Sequence, residues 1–344
     1  MKEKHNQKSK AVNLGLEILR LFLCLWIVII HCSKLKNVHK KYLNKAFHVP
    51  TFFVISFYFY FRIISKRVIQ KIILRFQRLL IPYIIWPIII FSVNHIMFLL
   101  FNVRIISYNI KLKDIYIQIL IGSRYHGIFW FQFNLIIISL FFTIISLIFK
   151  TNFVNVCFII FALSISCHIS GIIYRFFYSY NPAFSISVGT IIEMVPLAIF
   201  GLILGSKKLL DQAQKFTFIF YCLNIFFIYN LFEYKIFADN PGFRYPNVLL
   251  NIFASFFLFI TFGSLSFKKI ENTKFFLIVN SICKYTGGIY YLHPRVSEIL
   301  KKISKNFNDR GSYSRSLLLY IICYIICFIG TKFFRYSKLK YLFN

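Results

Sequence analysis

The chain has 344 residues, 58% of them hydrophobic and 20% aromatic, with a mean hydropathy of +0.69. A water-soluble domain of this length keeps more polar residues for its surface, so the composition excludes one. The formal net charge of +31, from 41 Lys and Arg against 10 Asp and Glu, would suggest nucleic acid in a soluble protein. Here the cations cluster in short segments between long apolar blocks and read as lipid-headgroup contacts and topology signals.

A helix crosses a bilayer with roughly 20 apolar residues, and the chain offers about ten such blocks. The tail MKEKHNQKSK is basic, and the apolar run after it is longer than a signal-peptide core and lacks a small-x-small cleavage site. It is therefore expected to stay as a first span, about Leu14 to Ser33. A second span follows from about Ala46 to Ile64. Then comes a basic stretch with Lys66, Arg67, Lys71, Arg75 and Arg78, and a third span from about Leu79 to Phe101. The segment from Asn102 to His126 is mixed and reads as partly interfacial. Further spans centre near Ile138, Leu163, Pro196, Ile225, Phe257, Ile282 and Ile322. The ninth, Lys274 to His293, contains Asn280, Lys284, Gly287 and Gly288 and reads as a tilted or broken helix beside a cavity. Gly201 and Gly205 form a small-xxx-small pair, which marks close helix packing.

The expected fold class is thus all-α, a polytopic membrane protein. Its transmembrane domain covers 14–334, between cytoplasmic tails at 1–13 and 335–344. An even number of spans puts both termini on one side together with most short basic links, and the positive-inside rule makes that side the cytoplasm. Lys34 to Lys45 and Lys301 to Arg315 are basic as well and fall on the opposite side.

Charged groups inside apolar spans are costly, so they point to function or to pairing. Glu17, Arg20 and His31 fall near one face of the first span, with Arg20 and His31 roughly 16 Å apart along the axis. Alternatively, Arg20 snorkels to headgroups and His31 caps the outer end. His48 opens the second span near the same outer face. Arg75 and Arg78, three apart at a cytoplasmic edge, suit a phosphate grip or serve as an ordinary basic flank. Glu193 is the only acidic residue well inside an apolar stretch after the first span, and could orient a His or pair with an Arg. YYLHP puts His293 at the outer end of the ninth span. No metal-binding, Walker, GxSxG or Rossmann signature occurs, and no metal is expected.

The ordered pieces LEILRLFLCLWIVIIH, HVPTFFVISFYF, RFQRLLIPYIIW, IFWFQFNLII, VPLAIFGLILG and GIYYLHP together resemble the membrane-bound acyltransferase 3 family over nearly the whole chain. These are bacterial enzymes of the cytoplasmic (inner) membrane that acylate cell-surface carbohydrates. The resemblance implies about ten spans, acyl-CoA (usually acetyl-CoA) as co-substrate, and a carbohydrate or glycolipid acceptor. It carries the family's first-span Arg and His onto Arg20 and His31, its basic pair onto Arg75 and Arg78, and its aromatic fourth span onto Trp130. Many relatives carry a further hydrolase-like domain after the last span. The sequence ends at Asn344 without one, so transfer is expected within the membrane domain or with another protein. Two positions depart from the family pattern. Leu21 and Phe57 stand where it has small residues, and each could narrow a substrate channel or a helix contact.

The resulting expectation is acyl transfer to a sugar hydroxyl. Arg75 and Arg78 hold CoA phosphates. His31 acts as general base or passes the acyl group as acyl-imidazole. Arg20 meets the pyrophosphate or the thioester oxyanion, and Glu193 or His48 orients the base. A transporter or flippase of a lipid-linked sugar, which moves its substrate unchanged, is the first alternative. A non-catalytic membrane subunit is the second.

Overall fold

A computed structural model describes residues 13–32, 48–66, 68–101, 129–169, 182–206, 214–216, 218–225, 244–265, 273–305 and 313–335. All regular structure among them is helical. The helices are α1 (Leu14–Cys32), α2 (His48–Ile64), α3 (Ile69–Phe101), α4 (Phe129–Ile148), α5 (Phe153–Ile169), α6 (Pro182–Ser206), α7 (Arg244–Ser264), α8 (Lys274–Cys283), α9 (Thr286–Lys305) and α10 (Tyr313–Arg335). A helical segment at 218–225 precedes α7. The two tails, apart from Asn13 and Arg335, and the loop with Lys34 to Lys45 lie outside the described residues.

In hydrocarbon the backbone finds no water, so an apolar run must satisfy its N–H and C=O groups within itself, and the helix does so. Leu14–His31, Ile69–Ile96 and Phe129–Ile148 are long and apolar enough to cross a bilayer, and shorter apolar helices accompany them. Large side chains such as Ile88, Leu99, Ile144 and Ile159 stay exposed on the bundle exterior, where lipid is their solvent. This is an all-α polytopic membrane protein.

Local chemistry sets the helix ends. Asn13 caps α1: its Oδ1 accepts from Leu16 N at 3.1 Å, and its Nδ2 donates to Gly263 O at 2.8 Å, tying α1 to the end of α7. α3 begins ten residues before the third span read from the sequence. Ile69, Ile72, Ile73, Phe76, Leu79 and Leu80 keep an apolar helical period through the basic stretch, so the cations ride on the helix instead of forming a link. At 33 residues α3 runs roughly 50 Å, well beyond the roughly 30 Å of bilayer hydrocarbon. Its cationic end therefore suits the headgroup region.

The ninth span is broken, as its composition suggested. A turn at Lys284 and Tyr285 separates α8 from α9, and Thr286 Oγ1 donates to Cys283 O at 2.9 Å across it. α9 then runs past His293 to Lys305, so His293 lies inside a helix and not at the outer end of a span. Gly288 explains the seating of α9 on α10. A Cβ there would lie 2.2 Å from Thr331 Cγ2, a fully buried side chain.

The core centres on α2, which packs most extensively against α6 and is flanked by α1, α4, α5 and α7. The small-xxx-small pair makes the α2–α6 contact. A Cβ on Gly201 would sit 2.4 Å from Val54 O, and one on Gly205 would sit 2.8 Å from Tyr58 O. Backbone cannot yield as a side-chain tip does, so Gly201→Ala should destabilise the bundle by about 1–3 kcal/mol. Thermal unfolding in detergent reads this directly, and an unchanged midpoint would show that the two helices do not meet this closely.

Candidate active site

A cavity of about 1290 Å³ opens among α1, α2, α3, α4 and α9. Its lining is electrostatically lopsided: Arg20, Arg62, Lys66, Lys71, Arg75 and Arg78 contribute cations, and Glu17 is the one acidic side chain among the described residues of the wall. The corner where α2 turns into α3 supplies most of that charge. Arg62, Lys66, Lys71 and Arg78 are exposed there and form a rim.

The two arginines of the RFQRLL stretch take different positions. Arg78 stays exposed on the rim. Arg75 turns inward: its Nη2 donates to Ser56 Oγ at 3.0 Å and to Ser139 Oγ at 3.3 Å. Its guanidinium lies over the Tyr60 ring, 4.2 Å from the centroid, and 5.6 Å from that of Phe57. Tyr60 is fixed in turn by a short hydrogen bond with Thr143 Oγ1. The Nε of Arg75 is buried without a hydrogen-bond partner, so that N–H remains for a ligand. A planar fork stacked on an aromatic ring cannot be replaced by a point charge. Arg75→Lys should therefore cost about 1–3 kcal/mol of stability, while Arg78→Lys leaves the unfolding midpoint unchanged. Equal midpoints for the two variants would contradict the anchoring of Arg75.

Deeper in, Arg20 meets Glu17 with both carboxylate oxygens, at 3.0 and 3.1 Å from Nη1, and donates from Nη2 to Thr286 Oγ1 at 3.3 Å. The pair is half-dry: the Arg20 side chain is 32% exposed and that of Glu17 11%. Cys283 Sγ donates to Glu17 O at 3.0 Å, so the break between α8 and α9 is fastened to α1 at the level of this ion pair.

At the inner end stand two imidazoles. His31 and His293 meet edge to face, with centroids 4.8 Å apart and planes at 69°. His293 belongs to the cavity wall and is closed off from water, whereas His31 is not part of the lining and sits beside it. Tyr290 and Tyr291 flank His293 on α9, and Phe131 and Gln132 face the cavity from α4. Gln132 Nε2 donates to Leu79 O at 2.5 Å, in the turn before Pro82 of α3.

Of the residues singled out from sequence, Arg20, Arg75 and Arg78 share this cavity, and His31 touches its inner wall through His293. Glu193 lies part-buried on α6 and Trp130 packs on Phe131, with ring centroids 6.3 Å apart, and neither lines the cavity. The side chain of His48 lies outside the described residues. Arg62 and Tyr290 are what sequence reasoning missed, while Glu17 and His293 were singled out without a role in the site. Glu17 carried a signal, being three residues before Arg20 on one face. Leu21 and Phe57 do not line this cavity: Leu21 packs against the α1–α8 cluster, and Phe57 is fully buried against Phe53, Tyr60 and Phe142. Their bulk fills the core and leaves the cavity open.

Fold and site together define a helical membrane protein with a large, cation-rimmed cavity that ends on a histidine pair. The family profile described as an acyltransferase domain, acyltransferase 3, matches residues 13–336. The chain therefore belongs to the acyltransferase 3 family and is an acyltransferase-type membrane enzyme. No curated protein and no solved structure matches the chain.

Proposed function

We propose that the protein transfers an acyl group, acetyl in the simplest case, from acyl-CoA to a hydroxyl of a cell-surface or lipid-linked carbohydrate. The observation that carries this reading is the cavity, cationic at one end and ending on paired imidazoles at the other. CoA is a polyanion at its nucleotide end and a neutral thioester at its other end, and the cavity has the same polarity. Arg62, Lys66, Lys71 and Arg78 meet the phosphates at the rim, with the spare Nε of Arg75 behind them.

Arg20 sits at the level of Thr286, seven residues and roughly 10 Å of helix before His293. That separation favours a contact to the pyrophosphate over one to the thioester oxygen. The pantetheine arm then runs toward the histidines. The aromatic faces of Phe131, Tyr290 and Tyr291 suit the apolar face of a sugar ring. Proton transfer from the acceptor hydroxyl falls to an imidazole at this inner end. The basic corner faces the cytoplasm of a bacterial inner membrane in this reading, with both termini on that side.

Calorimetry with the detergent-purified protein tests the donor half. CoA should bind, and dephospho-CoA, which lacks the 3′-phosphate, should bind about tenfold more weakly, since one charge-assisted contact in a screened site supplies about 1.4 kcal/mol. Absence of CoA binding would sink the reading.

A further inference from the structure

The sequence singles out His31 as the base, but His293 has the geometry for the task. Its Nδ1 lies 3.1 Å from Ile289 O. A carbonyl oxygen only accepts, so Nδ1 carries the ring proton and Nε2 of the neutral imidazole holds the free lone pair. Nε2 is buried without a hydrogen-bond partner in a side chain that is 0% exposed, and the residue forms part of the cavity wall. A buried polar atom left without a partner is costly and calls for an explanation. A substrate hydroxyl supplies one, as the missing donor.

The surroundings hold the ring still. Cys323 Sγ donates to His293 O at 3.7 Å, Tyr290 lies 5.9 Å from the imidazole by ring centroids, and His31 packs edge-on against it.

We propose that His293, through Nε2, is the general base of the transfer and that His31 is a positioning residue acting through it. This assignment rests on the acyl-transfer reading. The acceptor hydroxyl donates its proton to Nε2 as its oxygen attacks the thioester carbonyl of acyl-CoA. The new C–O ester bond forms and the C–S bond breaks. The imidazolium then returns the proton to the leaving thiolate, giving free CoA and the O-acylated carbohydrate. No group other than thioester and hydroxyl is consumed.

The test has two arms. In the first, transfer of labelled acetyl from acetyl-CoA to a glycolipid fraction is compared for wild type, His293→Gln and His31→Phe. His293→Gln should lower kcat by about 100- to 10,000-fold with CoA affinity retained. His31→Phe keeps an aromatic edge against His293 and should lose less than tenfold, with KM for acetyl-CoA unchanged. Retention of activity by His293→Gln, or an equal loss in His31→Phe, would overturn the assignment. A wild type that binds CoA but transfers nothing would instead overturn the acyl-transfer reading, and the assignment with it.

The second arm needs no variant and covers a His293→Gln protein that fails to fold. Solid-state NMR of ¹⁵N-histidine-labelled wild type in lipid should show, among its 8 histidines, a neutral ring protonated at Nδ1, the less common tautomer. That signal should shift when CoA and acceptor are added. A spectrum with no Nδ1-protonated neutral ring would overturn the proposal.

Discussion

Reversing the rim charge with Lys71→Glu and Arg78→Glu should raise the Kd for CoA by about 100-fold while leaving thermal stability unchanged. Both side chains are exposed and line the cavity mouth, and neither carries a fixed contact in the way Arg75 does. Exposed charges are screened, so each removed attraction is small. Replacing it with repulsion roughly doubles the effect, to about 1.5 kcal/mol per site. The loss should shrink as salt rises, because wild-type binding itself weakens over a Debye length of about 8–10 Å. A reversed rim that binds CoA as wild type does would show that the phosphates sit elsewhere.

Arg20→Ala should lower kcat/KM for acetyl-CoA by about 100-fold, chiefly through KM. Two effects add. The proposed contact to the pyrophosphate is lost, worth about 1.5–3 kcal/mol as a charge-assisted hydrogen bond. Glu17, 11% exposed and bonded to Arg20 by both oxygens, is also left as a lone carboxylate facing an anionic substrate. The double variant Glu17→Gln/Arg20→Ala removes that repulsion and should recover about a tenfold share of the loss relative to Arg20→Ala. Steady-state kinetics of the single and double variants form a mutant cycle. Additive losses would show that the ion pair plays no part in donor binding.

Much of the architecture was legible before any coordinates. The apolar blocks give the helices, since hydrocarbon leaves the backbone no other partner. The Gly201 and Gly205 spacing gives the α2–α6 contact, and Gly287 and Gly288 mark the neighbourhood of a broken helix. What could not be read is which way each polar side chain turns. Arg75 and Arg78 differ by three residues and by roughly 60° of helix rotation. That angle takes one into Ser56, Ser139 and Tyr60 and leaves the other in the rim, and only the packing of α2 and α4 against α3 decides which. The same holds for Trp130 and Phe131, where one residue of register separates the outer wall from the cavity. His31 attracted attention because it shares a face with Arg20 within one helix. His293 is brought to it by α9, more than 260 residues away in the chain, and no spacing rule reaches that far. Leu21 and Phe57 raised the prospect of a blocked channel. Phe57 is accommodated where Gly201 lets α6 approach α2, and Leu21 packs on the far side of α1 against α8.

The proposed reaction moves an acyl group from CoA to a carbohydrate hydroxyl within this cavity. The most direct test is to incubate the purified protein in nanodiscs with acetyl-CoA labelled in the acetyl group, with and without a glycolipid fraction from its host. Label is expected in the glycolipid, recoverable as alkali-labile acetate, in step with release of free CoA. Glycolipid that is bound or moved across the bilayer without acquiring label would contradict the proposed reaction, and would favour a carrier of lipid-linked sugar in its place.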